Sequence, residues 1–187
     1  MPNGLADVPN SAWNKANTSR PTADFFARDQ PLYIINAAEI WLLRSEAALF
    51  GLWPGNANEV FQTGIKRAMS MWNASSDDIQ NYLDSEPQGT LNGTQEEQFE
   101  QISSQMWVAF IPNFVESWHN IRRTGYPIIP QRFGADMALG VTNGILPKKV
   151  RYPFTVEKTV NGDNLQEAID RMGGEDKIDV PVWWDAR

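Results

Sequence analysis

Residues 36–72 read NAAEIWLLRSEAALFGLWPGNANEVFQTGIKRAMSMW, and the two periodic runs in this stretch decide the fold. Ile40, Leu43, Ala47 and Phe50 recur at helical spacing from Asn36 onward, and Gly51 stands where a left-handed C-cap belongs. After the turn Trp53-Pro54-Gly55, a second helix is predicted from Ala57 to Trp72, with Ala57, Phe61, Ala68 and Trp72 as its apolar stripe. Gly64 lies within that stripe, where the lack of a side chain lets two helix backbones approach closely.

An antiparallel pair of this size with small residues at its contact resembles a tetratricopeptide unit, whose repeat is about 34 residues. Working outward toward the C-terminus, Ser75-Ser76-Asp77 offers an N-cap for a short helix through Leu83, and Pro87 to Gly93 reads as a loop. Thr94 and Glu97 have the spacing of a capping box, and Phe99, Ile102, Met106 and Phe110 make the buried stripe of the helix they start. Pro112 interrupts that helix, so Phe114 to Arg123 is predicted as a separate or kinked one. Arg122 and Arg123 suit its C-terminal dipole, Gly125 supplies the cap, and Pro127 prevents continuation. Prolines then punctuate the chain until a last helix, begun by Asp163 with Gln166 and closed by Gly173-Gly174. Toward the N-terminus, residues 1–32 are rich in Pro, Asn, Ser, Thr and Asp without a sustained period, and read as an ordered loop. The expected layout of residues 1–187 is one mostly α domain: 1–32 loop, 33–125 helical, 126–187 loop-rich with one helix.

Composition narrows the function. With 16 Lys+Arg against 23 Asp+Glu among 187 residues, a net charge of −7 and a pI near 4.7, the chain lacks the basic surplus that phosphate backbones demand, so no nucleic acid is expected. The absence of cysteine removes thiolate chemistry, disulfides and Cys-ligated metal, and a single histidine, His119, does not furnish the imidazoles of most zinc or iron sites. Neither metal nor cofactor is therefore expected. No run of 18 apolar residues exists to span a bilayer, and Met1-Pro2-Asn3-Gly4 lacks the regions of a signal peptide.

Candidate chemistry is sparse. Glu116, His119, Arg122 and Arg123 share one helix and pair an acid, a base and cations, an arrangement better accounted for by surface ion pairing and dipole partners than by catalysis. Glu39 and Glu46 are two turns apart, roughly 10.5 Å along a helix, and run parallel rather than flanking a bond, so pairing with Arg44, Arg67 or a loop arginine is the expected use of those carboxylates. No catalytic residue is assigned. Trp13, Trp53, Tyr126, Trp183 and Trp184 instead lie in predicted loops or ends, where flat aromatic faces beside Asn, Asp and Arg have the chemistry to stack on a sugar ring and bond its hydroxyls. Trp13, with Asn14 and Arg20 as polar partners, is the expected carbohydrate contact, because an aperiodic loop is expensive to order unless something binds it.

Three stretches taken in order resemble the C-terminal part of the SusD/RagB family. They are Ala38 to Leu49 (AEIWLLRSEAAL), Glu116 to Pro127 (ESWHNIRRTGYP), and Leu146 to Pro153 (LPKKVRYP) continued through Glu157, Asn161, Asn164 and Asp176 to Trp183-Trp184-Asp185. The resemblance implies tetratricopeptide-like helix pairs backing a loop-rich face, and a nutrient-binding surface lipoprotein of Bacteroidetes that captures glycans for a SusC-like TonB-dependent transporter without cleaving them. It marks Glu39, Glu46, Trp118, Arg122, Arg123, Gly125, Trp183 and Trp184 as structural motif residues. It also implies an outer-membrane, cell-surface location, although the anchoring cysteine is not in this chain, and the earlier helical repeats of such a protein are missing, so a C-terminal fragment is expected. A tetratricopeptide-type protein scaffold is the alternative expectation, and a helical glycoside-active enzyme the third.

Overall fold

The computed structural model describes residues 25, 27–29, 31, 33–129, 142, 144, 146–153, 159–182, 184 and 185. The chain divides into two compact units, residues 31–128 and residues 1–30 with 129–187. Among the described residues every regular element is a helix.

The first unit contains α1 (Ala37–Leu49), α2 (Ala57–Met71), α3 (Ser76–Ser85), a 3-10 turn at Pro87–Gly89, α4 (Gln95–Ala109) and α5 (Phe114–Thr124). Each helix starts where a side chain accepts bonds from backbone donors that the first turn leaves orphaned. Asn36 accepts from the N–H of Glu39, Asn56 from Asn58 and Glu59, Ser75 from Asp78, and Asn113 from Glu116. Thr94 and Glu97 form the expected capping box, whose bonds hold the Glu97 carboxyl below its ordinary value. Gly125 stops α5 in the left-handed conformation, at φ +80°.

Helices α1 and α2 meet where the sequence has no side chain. A Cβ added to Gly64 would lie 2.8 Å from Cγ and Cδ2 of Leu42 and 3.3 Å from its backbone nitrogen. Ser45 Oγ donates to the carbonyl of Ala57 at 2.8 Å. Residue numbers thus fall along α2 as they rise along α1, which makes the pair antiparallel as expected. Leu42, Phe61 and Ile65 form the centre of a core continued by Ile79 and Leu83 of α3 and by Ile102, Met106, Ala109 and Phe110 around α4. The expected stripe of α4 is buried throughout.

The inward face of α1 differs from the expected one. Ala38, Leu42 and Ser45 are buried and Leu49 packs on the core, whereas Ile40, Leu43 and Phe50 remain exposed. This helix is apolar on more than one side, so spacing alone supports two registers, and the contact with Gly64 selects between them. Ser45 reads as polar in the sequence but is buried at no penalty because its hydroxyl has a partner. Trp72 is the C-cap of α2 and 42% exposed, so the buried aromatic of α2 is Phe61 alone.

In the second unit the described helix is α6 (Gly162–Arg171). It starts at the N-cap Asn161, with no capping bond from that side chain, which accepts instead from Asn164 Nδ2 at 2.6 Å. Gln166 donates to Asp170 rather than closing a capping box with Asp163. Gly173 and Gly174, both at positive φ, end it as expected.

The Gly64 contact generates the first prediction. Leu42 is fully enclosed and has nowhere to move, so Gly64→Val is expected to lower stability by roughly 1 to 3 kcal/mol through overpacking. Gly64→Ala is expected to cost less, since better helix propensity returns about 1 kcal/mol. Urea denaturation checks this, and an unchanged midpoint for the valine variant would mean that the two backbones do not close at this point.

Candidate functional site

The signature residues of the helical unit come together as a chain of polar contacts linking three helices. Glu46 of α1 accepts from both terminal nitrogens of Arg123 at 2.6 and 2.8 Å, a bidentate fork. Arg123 also reaches Asn120 Oδ1 at 3.4 Å, and the buried Asn120 donates to the carbonyl of Ser103 in α4 at 2.9 Å. Neighbouring Arg122 lies over the Trp118 indole, 4.4 Å from its centroid. Glu46 therefore pairs with an arginine of α5, in place of the expected Arg44, Arg67 or loop arginine. Consecutive residues of a helix project about 100° apart, so one arginine reaches α1 and the other folds along its own helix.

Tyr126, expected among the loop aromatics, belongs to this framework too. Its hydroxyl donates to Glu96 at 2.8 Å, and its ring meets Phe99 edge-on at 5.9 Å. The Glu116 carboxylate lies 3.6 Å from His119 Nδ1, with both side chains well exposed. Glu39 faces the charge of Glu116, and burial, the larger effect, raises its carboxyl above the ordinary value against a hydrogen bond from the Asn36 backbone. Among the described residues no group of three or more His, Asp or Glu side chains is placed to hold a metal. The aromatic surface of this unit is elsewhere: the Arg44 guanidinium sits between the rings of Trp41 and Trp53, at 4.9 and 5.0 Å from their centroids.

In the second unit the motif residues between 146 and 185 close on one another. The N–H groups of Lys148 and Lys149 both donate to the carbonyl of Ile178, at 2.6 and 3.1 Å. The buried Lys149 is paired with Asp176, which also accepts from the Tyr152 N–H at 3.0 Å, and Lys148 reaches the buried Asp185 at 3.1 Å. This frame leaves a cleft of about 430 Å³ between α6 and residues 151–152. Gly162, Leu165, Gln166 and Ile169 line one side, and Arg151, Tyr152 and Asp176 the other. A smaller cleft of about 280 Å³ shares Tyr152 and Leu165 with it and adds Asn161 and Asn164. Sequence reading places Arg151, Tyr152, Asn161, Asn164 and Asp176 in a motif but gives no sign of a cleft, because α6 and the segment before it meet only in the folded chain. Trp184 is exposed beside Asp185. Trp13, Asn14, Arg20 and Trp183 lie outside the described residues.

A family model described as SusD-like, starch-binding and associating with the outer membrane, matches residues 1–153. The chain belongs to the SusD-like family. Solved structures agree with that assignment. A chitin-binding protein is 30% identical, with a TM-score of 0.70 over 81% of this chain and 33% of its own. A SusD homologue from Bacteroides uniformis is 28% identical, with a TM-score of 0.71 over 84% of this chain and 38% of its own. A chitin-binding SusD homologue from Flavobacterium johnsoniae is 27% identical, with a TM-score of 0.66 over 83% and 37% respectively. Against these SusD-like structures the chain spans about a third of their length. No curated protein sequence matches it. Within this SusD-like chain, the first two signature stretches are the ones joined by Glu46 and Arg123.

The environment of Glu39 sets a pH dependence. With its folded value raised, the unfolded chain gives up this proton first as pH rises, so stability falls from about pH 4.5 upward through the folded value. Glu39→Gln removes the charge and keeps a side chain able to accept from the N-cap backbone. The variant is expected to melt above the unsubstituted protein at pH 7, with the difference vanishing below about pH 4. A lower melting temperature at pH 7 would mean that a favourable partner holds the carboxylate.

Proposed function

We propose that this chain is the C-terminal portion of a SusD-like surface lipoprotein, and that the whole protein captures a glycan for a SusC-like TonB-dependent transporter of the outer membrane. Membership of a family described as starch-binding carries the reading. The chitin-binding names of two similar structures support it, and the coverage of about a third of the solved relatives supports the fragment. Among the described residues no helix is long and apolar enough to cross a membrane.

The role is binding without bond cleavage. Glycoside hydrolysis requires two carboxyl groups flanking one bond. Glu46 is engaged by Arg123, Glu116 lies beside His119, and Glu39 and Glu46 share one helix. Trp13, with Asn14 and Arg20, is proposed as the sugar contact of the N-terminal segment, a stacked ring with a few hydrogen bonds giving millimolar affinity, roughly 4 kcal/mol.

Titration with soluble oligosaccharides followed by NMR tests this reading. Shifts of residues next to Trp13 in the sequence are expected that disappear in Trp13→Ala while the melting curve stays in place, and no reducing ends are expected to be released from any polysaccharide. Release of reducing ends that is lost in Glu116→Gln would overturn the non-catalytic assignment. Unfolding of the Trp13→Ala variant would assign Trp13 to packing.

A further inference from the structure

We infer that the cleft beside α6 binds a 2-acetamido sugar unit within a chain of such units, through residues separate from the Trp13 segment. The inference rests on the glycan-binding reading and gives it a sugar class. The first observation is a half-exposed apolar wall. Helix α6 is amphipathic, yet none of its residues is buried, and Leu165 and Ile169 stand half-exposed along the cleft. A helix of a folded domain ordinarily hides that face. The second is the volume of about 430 Å³, inside the range of roughly 300 to 1,000 Å³ typical of small-molecule sites.

The third observation is how firmly the opposite side is held. Tyr152 is 39% exposed, its backbone N–H is bonded to Asp176, and the ammonium of Lys149 lies 5.4 Å from its ring centroid. Lys149 also pairs with Asp176, so the aromatic ring and the carboxylate share one buried anchor. Arg151 and Gln166 complete the polar edge.

A pyranose offers C–H groups on a flat face and polar groups around its rim, which suits a tyrosine ring bordered by planar polar side chains. The acetamido group matches what remains. Its methyl covers the Leu165 and Ile169 wall, its N–H suits the Asp176 carboxylate, and its carbonyl suits the Arg151 guanidinium or the Gln166 amide. A plain glucose unit carries a hydroxyl at that position and leaves the apolar wall wet. The adjoining cleft of about 280 Å³, which shares Tyr152 and Leu165 and is bordered by Asn161 and Asn164, gives room for a second unit.

The test uses the full chain labelled with 3-fluorotyrosine, whose four tyrosines give four fluorine resonances, with Tyr152 assigned by Tyr152→Phe. Tetraacetylchitotetraose is expected to move the Tyr152 resonance and maltotetraose to leave it in place. Gln166→Ala and Leu165→Asn are each expected to weaken the response roughly tenfold. The other three resonances report that the fold is intact. Binding of chitotetraose with the Tyr152 signal unmoved and unchanged affinity in Gln166→Ala would overturn the cleft while leaving the glycan-binding reading in force. An equal response to maltotetraose would overturn the acetamido assignment. Absence of binding to any glycan of a broad panel would remove both.

Discussion

The contact of Leu42 with the bare backbone at Gly64 is the constraint to which the helical unit is referred. It brings the axes of α1 and α2 close enough for Leu42, Phe61 and Ile65 to fill one another's space. It also fixes the rotation of α1, and with it the direction of every other side chain on that helix. Ser45 then points at the start of α2, where the Ala57 carbonyl accepts its hydroxyl, and Glu46 points at α5. Magnitudes separate the roles of these contacts. Burial of Leu42 and Phe61 is worth about 1.5 to 3 kcal/mol each. The Glu46 side chain is 16% exposed and that of Arg123 43%, so solvent screens the pair and it contributes on the order of 1 kcal/mol. Packing supplies the energy, and the ion pair ties α5, which packs on α4, to α1.

Among the described residues of the second unit the burial falls on charged groups rather than large apolar ones. Lys149 and Asp185 are buried, and each has an oppositely charged partner, Asp176 and Lys148. Removing one member of such a pair leaves a buried charge without compensation, which costs far more than the pair itself contributes. Among the signature residues, Glu46 is thus occupied with Arg123, Lys148 with Asp185 and Lys149 with Asp176.

The fold was legible wherever its cause is local. A capping box needs two residues three apart, so the start of α4 at Thr94 was readable, as were the stops at Gly125 and Gly173. The burial of α1 was not, because Ser45 looks polar and Ile40 looks like core until a partner helix is in place. Trp72 misled for a related reason: it continues the stripe of α2 by spacing but falls at the helix end, where no neighbour covers it fully. The candidate site was less legible still. Glu46 and Arg123 were readable as motif members, but their partnership spans 77 positions and depends on the rotation of α1. The cleft beside α6 required a segment before the helix and an aspartate after it to converge, which no spacing rule anticipates.

That the signature pair Glu46 and Arg123 holds the scaffold and does not touch ligand is tested most directly by a double-mutant cycle on Glu46→Gln and Arg123→Lys, read in both stability and glycan affinity. Arg123→Lys keeps the charge and loses the planar fork, whereas Glu46→Gln removes the charge, so the cycle reads the coupling between the fork and the carboxylate. The expected result is a coupling of about 1 kcal/mol in unfolding free energy with affinity unchanged in all variants. Zero coupling in stability, together with glycan affinity lost in either single variant, would place the pair in a binding site and contradict the scaffold role.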